Sequence, residues 1–413
     1  MGTRTFVTPI TPIKRPRPLY IGWDIPLLLV VLSLIVIGLL MVYSASWKYS
    51  LENAGSVHYV LNRQITWALT GLIAAAVISL IDYRRLHKWV LPVMAVTVGM
   101  LLLVLLVEDD SMAPRRTLFS GSVQPSELAK LAIIIYLSAW LYAKRDQINN
   151  ISLGLLPMMV ILGTTSGLIL LQPDISAAAT IVMLGGILFF LANGELRQII
   201  LVLVAASLVG WLVVTVSDTG RERFLDYVNG FSDPQSASYH VQRAMEAVVR
   251  GGVFGVGIGR GTTKFTGLPV PWTDSIFAVI AEEIGLIGSA VVISLYIILL
   301  WRGLSIAHRA PDMFGRLLAG GLTIWIALEA FINIGVMVNL IPFAGNALPL
   351  MSAGGSSMVM TLVAIGLLMN ISRSAVAEHE KKQGSIFNAV ADLRRRDGRR
   401  GISRGSRPAS PRR

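Results

Sequence analysis

The sequence predicts an all-α, polytopic membrane protein of about ten transmembrane helices, N-in and C-in, with a large exterior loop between helices 7 and 8. Three observations predict it. Of the 413 residues, 54% are hydrophobic and 15% charged, against roughly 25% charged in an average soluble domain. Ten stretches meet or approach the roughly 20 apolar residues that a bilayer-crossing helix needs. The formal charge of +12 lies almost wholly in two tails: residues 1–23 hold Arg4, Lys14, Arg15 and Arg17 with no acid, and residues 378–413 hold 11 Lys/Arg against Glu378, Glu380, Asp392 and Asp397.

In order, the apolar stretches fall at about 25–46, 62–81, 88–107, 125–142, 153–171, 175–193, 196–217, 275–301, 316–340 and 355–372. The first is a span and not a cleaved leader, because Pro26–Val42 is long and no small-residue cleavage motif follows Ser44. Basic residues in short loops set orientation. With the N-terminus inside, the inner loops receive Arg84, Arg85, Lys88, Lys144, Arg145, Arg197, Arg302, Arg309 and Arg316, and the outer ones Lys48, Arg63, Arg115 and Arg116. An even number of spans then returns the C-terminus inside. The chain divides into a basic cytoplasmic tail (1–23), a membrane domain (24–373) and a second basic tail (374–413), the tails rich in Pro, Ser and Arg and read as disordered. They suit anionic lipid headgroups or a cytoplasmic partner.

Several function classes drop out. A near-neutral middle excludes a nucleic-acid-binding core, and the absence of cysteine excludes a disulfide scaffold, a cysteine-ligated zinc site and a cysteine nucleophile. His58, His87, His240, His308 and His379 are scattered, and neither H-E-x-x-H nor G-x-S-x-G occurs.

Residues 218–274 form the long exterior loop, with a charged section from Arg221 to Asp226. An amphipathic helix follows, setting Tyr239, Val241, Met245, Val248 and Val249 against His240, Gln242, Arg243, Glu246 and Arg250. Its apolar face fits a membrane surface or the bundle. The glycine-rich run Gly251–Gly261 lacks the spacing of a phosphate-binding loop. Glycine there suits tight turns and close backbone approach.

Charged groups at membrane depth are functional candidates. The fourth span opens Gln124-Pro125-Ser126-Glu127-Leu128-Ala129-Lys130, with Glu127 and Lys130 on one helix face. The fifth ends at Gln172-Pro173-Asp174, where Asp174 suits a helix cap. The eighth begins Trp272-Thr273-Asp274-Ser275 and contains Glu282-Glu283; Glu329 lies in the ninth. Asp274 stands at the exterior start of a helix, where position alone favours a cap over a functional carboxylate. Glu282 needs a partner that the sequence does not name.

These motifs, with Met41-Val42-Tyr43-Ser44-Ala45-Ser46, Leu268-Pro269, Ile276-Phe277-Ala278 and Leu348-Pro349…Ser352-Ala353-Gly354-Gly355-Ser356-Ser357, resemble the shape, elongation, division and sporulation (SEDS) proteins. They stand in family order across residues 25–372. The resemblance implies a peptidoglycan glycosyltransferase of the FtsW and RodA type, leaning to FtsW. Such an enzyme polymerises lipid II on the outer face of the cytoplasmic membrane beside a class B penicillin-binding protein, within the divisome or elongasome. It implies Asp274 as general base, since a diphosphate leaving group removes the need for a strong acid. The diphosphate would be neutralised by basic residues or by a divalent cation, Mg or Mn. Candidate substrate-binding residues are Lys130, Glu127, Arg116, Lys264, Gln172, Asp174, Ser352, Gly354, Gly355 and Ser356, with Glu282, Glu283 and Glu329 as intramembrane polar groups. Three departures stand out: Val270-Pro271-Trp272 before the aspartate, Thr117 after Arg116, and Arg243-Ala244 in the amphipathic helix. A lipid II flippase and a non-catalytic scaffold for a penicillin-binding protein remain open alternatives.

Overall fold

A computed structural model describes residues 22–106 and 123–400, with side chains described as far as Glu378. Among them ten apolar helices occupy the ten stretches read from the sequence: α1 (Ile25–Ala54), α2 (Tyr59–Leu80), α3 (Val90–Leu106), α4 (Pro125–Ala143), α5 (Leu156–Leu170), α6 (Ile175–Leu191), α7 (Leu196–Val216), α10 (Ile276–Arg309), α11 (Met313–Met337) and α12 (Gly355–Arg400). The interposed loop carries α8 (Asp218–Ser232) and α9 (Tyr239–Gly251). Eight of the ten are long and apolar enough to cross a membrane, with Ile151–Leu170 counted as one helix; α3 and α6 are shorter apolar helices.

Local chemistry explains the ends. Asp24 caps α1, accepting from the Leu27 N–H at 3.0 Å, and its other oxygen takes Arg302 at 2.5 Å. Asp312 caps α11 by accepting from Gly315, and also from the Tyr83 hydroxyl and Arg84. Burial pushes the Asp312 carboxyl up, but the Gly315 N–H, Tyr83 and Arg84 outweigh it and hold it below the usual carboxylate range. Arg84 also reaches Glu378 at 3.0 Å, tying the loop after α2 to α12.

The interior is chiefly Leu, Ile, Val, Ala and Met, as in a soluble protein, but much of the exterior is apolar as well. Polar Ser, Thr, Asn, Glu and Lys side chains lie buried, while Leu29, Ile73, Leu91, Leu208 and Trp211 are exposed, as lipid-facing positions are. Close packing relies on small residues: a Cβ on Gly366 of α12 would stand 2.6 Å from the Ala75 carbonyl oxygen of α2. Helix α7 is peripheral, with only 6% of its apolar window buried.

Three expectations change. The loop 218–274 carries two helices where one was expected: Ser217 caps α8, and Val241, Ala244 and Ala247 of α9 are buried against the bundle, one of the two placements expected of that helix, while Tyr239 and Val249 are exposed. The second tail is helical as far as Arg400, consistent with its Ala-, Glu-, Lys- and Arg-rich content. The eighth span is not continuous: Gly285 breaks α10 with φ 73° and ψ −168°. Arg116, the N-terminal tail and residues 401–413 lie outside the described residues.

Candidate functional site

The starts of α4, α6 and α12, the turn before α10 and the outer half of α11 enclose a cavity of about 240 Å³. Alternation of helix direction places all of these ends on the side from which the 218–274 loop emerges. Into the cavity project Glu127, Lys130, Asp174, Asp274 and Glu329, together with Gln124, Asn346 and the Gly354–Ser357 backbone.

Lys130 sits five residues after Pro125, about 7.5 Å along the axis. It donates to Glu127 at 2.8 Å and to Glu329 of α11, and its ammonium lies 5.7 Å from the ring centre of buried Trp325. All three charged side chains are nearly fully buried. One cation therefore serves two carboxylates, leaving Glu127 Oε2 without a hydrogen-bond partner among the described residues. Asp174 caps α6 through the Ala177 N–H and also accepts from Gln124, Ser126 and Ser176. With Asp274 added, the lining carries four carboxylates and one ammonium.

Asp274 is not the helix cap. Helix α10 starts at Ile276 with Ser275 at the cap position, and the Asp274 carboxylate faces the cavity, where a Cβ on Gly345 would lie 3.5 Å from Oδ2. Its backbone is held from both sides. Asn333 donates to the Asp274 carbonyl at 2.8 Å and to that of Asn346 at 2.6 Å, while Ser352 donates to the Thr273 carbonyl at 2.7 Å. The Ala353 N–H also donates to Trp272 at 2.8 Å. Asn333 escaped notice in the sequence, although it lies one helical turn beyond Glu329 and meets the same criterion of polarity at membrane depth.

Other candidates are placed elsewhere. Ser352 does not line the cavity; its hydroxyl is used up between the Leu348 N–H and the Thr273 carbonyl. Gln172 is buried and donates to the Leu101 carbonyl at 3.0 Å. Gly354, Gly355 and Ser356 do line it, Ser356 accepting from the Gln124 N–H, and Gly355 is required because a Cβ would stand 2.7 Å from the Trp67 ring.

Lys264 lies outside the cavity, fully buried against Glu283 at 2.5 Å and donating to Ser44 at 2.8 Å; Ser44 and the Gly259 N–H complete the Glu283 carboxylate. Among the described residues Glu282 is paired with no cation: its carboxylate accepts from the backbone and hydroxyls of Thr262 and Thr263. Trp47 packs on Phe265 and Tyr49 on Trp272, fastening this segment to α1.

His240 of α9 packs on Phe343 at 4.5 Å and meets Ser275, the residue after Asp274, at 3.3 Å. Because Ser275 donates to the Pro269 carbonyl, Nδ1 of His240 is the donor in that contact. Burial, reinforced by the Arg223 charge, pushes the His240 imidazole down to about 4. A lowered folded pKa means the contribution is complete above the unfolded value near 6.5 and falls as pH drops towards 4. Hydrogen-exchange protection factors of α9, referred to the intrinsic amide rate at each pH, should therefore fall on acidification through that window, and the acid sensitivity should flatten in His240→Gln. An unchanged slope in the variant would refute the assignment.

Among the described residues no group of three or more His, Asp or Glu is arranged to hold a metal ion. Glu127 and Glu329 are committed to Lys130 and Asp174 to its cap. The described residues do not fit a protein-built divalent cation site.

Comparison with known proteins agrees with this architecture. Residues 25–377 match the FTSW_RODA_SPOVE family model, described as cell cycle protein. The chain is 39% identical over 357 residues to the probable peptidoglycan glycosyltransferase FtsW of Trichlorobacter lovleyi, covering 85% of this chain and 93% of that one. It is 35% identical over 355 residues to stage V sporulation protein E of Bacillus subtilis, covering 85% and 97%. Among solved structures, it superposes with a TM-score of 0.71 and 27% identity on a chain reported under "Structural coordination of polymerization and crosslinking by a peptidoglycan synthase complex", covering 86% and 98%. The rod shape determining protein RodA of Thermus thermophilus aligns at a TM-score of 0.63 and 25% identity, covering 87% and 99%.

Proposed function

The chain belongs to the FtsW, RodA and SpoVE family of cell cycle proteins, and on that premise we propose that it is a peptidoglycan glycosyltransferase that polymerises lipid II, with Asp274 as general base. The observation that carries this reading is the convergence of Asp274 and the Lys130 cluster in one cavity at the outer ends of the helices.

The acceptor sugar's 4-hydroxyl attacks the anomeric carbon of the lipid-linked donor. The new C–O bond forms as the bond to undecaprenyl diphosphate breaks, and Asp274 takes the hydroxyl proton. A held backbone suits this role, because proton transfer requires hydrogen-bond reach of the reacting hydroxyl. Neutralising the diphosphate falls differently than the sequence suggested. Lys264 is spent on Glu283 and Lys130 already faces two carboxylates. The first turn of α12, Gly355–Ser357, instead offers backbone N–H groups at the positive end of a helix dipole to the cavity, and that turn is the candidate diphosphate cradle. The carboxylate-rich remainder suits sugar hydroxyls, which donate.

With N- and C-termini inside, the cavity opens on the exterior face of the cytoplasmic membrane, where a class B penicillin-binding protein would cross-link the product. The likeness to a peptidoglycan synthase complex supports such a partner. The test is purified protein in liposomes with lipid II and its cognate transpeptidase. Glycan strands should form; lipid II scrambling without polymer would indicate a flippase, and neither activity a scaffold.

A further inference from the structure

The glycine-rich run is not a loop in water. At the Gly285 break, the Glu282 and Glu283 carbonyls lose their helical donors and accept instead from the Val256 and Gly257 N–H groups, each at 3.0 Å. On the other side of the break, the Leu286 and Ile287 N–H groups donate to the Gly252 and Val253 carbonyls at 2.9 and 3.2 Å. The two segments thus close each other's backbone hydrogen bonds, the condition for non-helical chain at membrane depth. The approach is close: a Cβ on Gly251 would stand 1.9 Å from the Ala281 oxygen, and one on Gly255 2.3 Å from the Glu283 oxygen.

The outer surface of this clasp is apolar and uncovered. Phe254 is 81% exposed, Val249 79% and Ile258 54%, and directly below them Leu286 is 65% exposed. From Leu286 the exposed apolar face of α10 continues through Val291, Ile297 and Trp301 to Leu304. From Leu286 to Leu304 the helix rises about 27 Å, close to the roughly 30 Å hydrocarbon thickness of a bilayer. The hydrocarbon boundary therefore falls at the Gly285 break, where Val253 and Phe254 project. Arg260 beside the apolar tip is exposed, as a basic side chain reaching headgroup phosphates is, while Arg250 on the other flank is engaged by Glu246 at 2.6 Å and by the Thr262 hydroxyl at 2.8 Å.

We propose that residues 249–258 are a wedge inserted in the leaflet from which the 218–274 loop emerges, with phospholipid acyl chains as its occupant. The surface is continuous with the lipid-facing face of α10, and its depth follows from the length of that face. The wedge fixes the height of the 262–274 segment, and hence of Asp274, above the bilayer.

The chain contains no cysteine, so single-cysteine reporters need no background removal. Phe254→Cys and, as a second reporter, Val253→Cys would carry an environment-sensitive fluorophore in proteoliposomes. Val291→Cys serves as a deep control and Gln235→Cys as an aqueous one. Emission at 254 and 253 should be blue-shifted relative to 235, and should lose more intensity to lipids spin-labelled near the glycerol than to lipids labelled near the chain end; 291 should show the reverse order. Emission matching that at 235 with quenching by aqueous iodide would overturn the proposal. So would a blue shift that lipid spin labels leave unquenched, since that reports a protein covering the wedge. Neither readout depends on catalytic activity.

Discussion

Replacing Asp274 by Asn should lower lipid II polymerisation by about 10²–10⁴-fold, the contribution of a positioned general base, while leaving the fold and the partner complex intact. Asn keeps the shape of the side chain and can still donate or accept a hydrogen bond, but it cannot take the acceptor proton. The backbone at this position is held by other groups: Asn333 holds the Asp274 carbonyl, Ser352 the Thr273 carbonyl, and the Ala353 N–H the Trp272 carbonyl. Unfolding therefore should not masquerade as lost chemistry. Glycan-strand length and rate, read on gels, would be compared with thermal unfolding in detergent and with co-elution of the transpeptidase. Polymerisation at the wild-type rate in Asp274→Asn would sink the general-base assignment. Loss of polymer with unchanged lipid II scrambling would leave catalysis and any transport as separable functions.

The ten helices were legible because lipid imposes a demand that sequence displays directly, some 20 apolar residues at a time. Asp274 was legible through the same scarcity of charge, although its position as a possible cap obscured it until the helix start was seen to be Ile276. What stayed hidden depends on partners distant in the chain. Lys264 looked like a free exterior cation because Glu283 belongs to another element and Ser44 lies 220 residues away. Ser352 looked like a ligand because nothing in the sequence shows that its hydroxyl meets the Thr273 carbonyl, 79 residues distant. The Gly285 break was invisible for a further reason. Its compensation comes from backbone groups of the 251–257 run, and backbone groups are the same whatever the side chains. The glycine spacing signalled close approach but did not identify what was approached.

The Lys264–Glu283 pair gives the second large expectation, on stability. Both side chains are fully buried, so Lys264→Met leaves a carboxylate whose remaining partners among the described residues are the Ser44 hydroxyl and the Gly259 N–H. Removing one member of a buried pair costs about 3–5 kcal/mol, because the remaining charge is uncompensated, whereas replacing both by neutral groups is often close to neutral. Lys264→Met should therefore markedly lower the thermal midpoint in detergent, and adding Glu283→Gln should restore most of the loss. A single variant as stable as the parent would contradict the buried pairing. The same double variant also separates two roles for Lys264. If the lysine acts on the substrate diphosphate, the restored protein is stable but cannot polymerise. If it serves as the bolt between α1, the 262–274 segment and the broken helix α10, stability and polymerisation return together. The geometry favours the second outcome, since the ammonium is directed at Glu283, Ser44 and the ring of Phe265, none of which lines the cavity. Activity would then depend on this lysine only through the position it gives to Asp274.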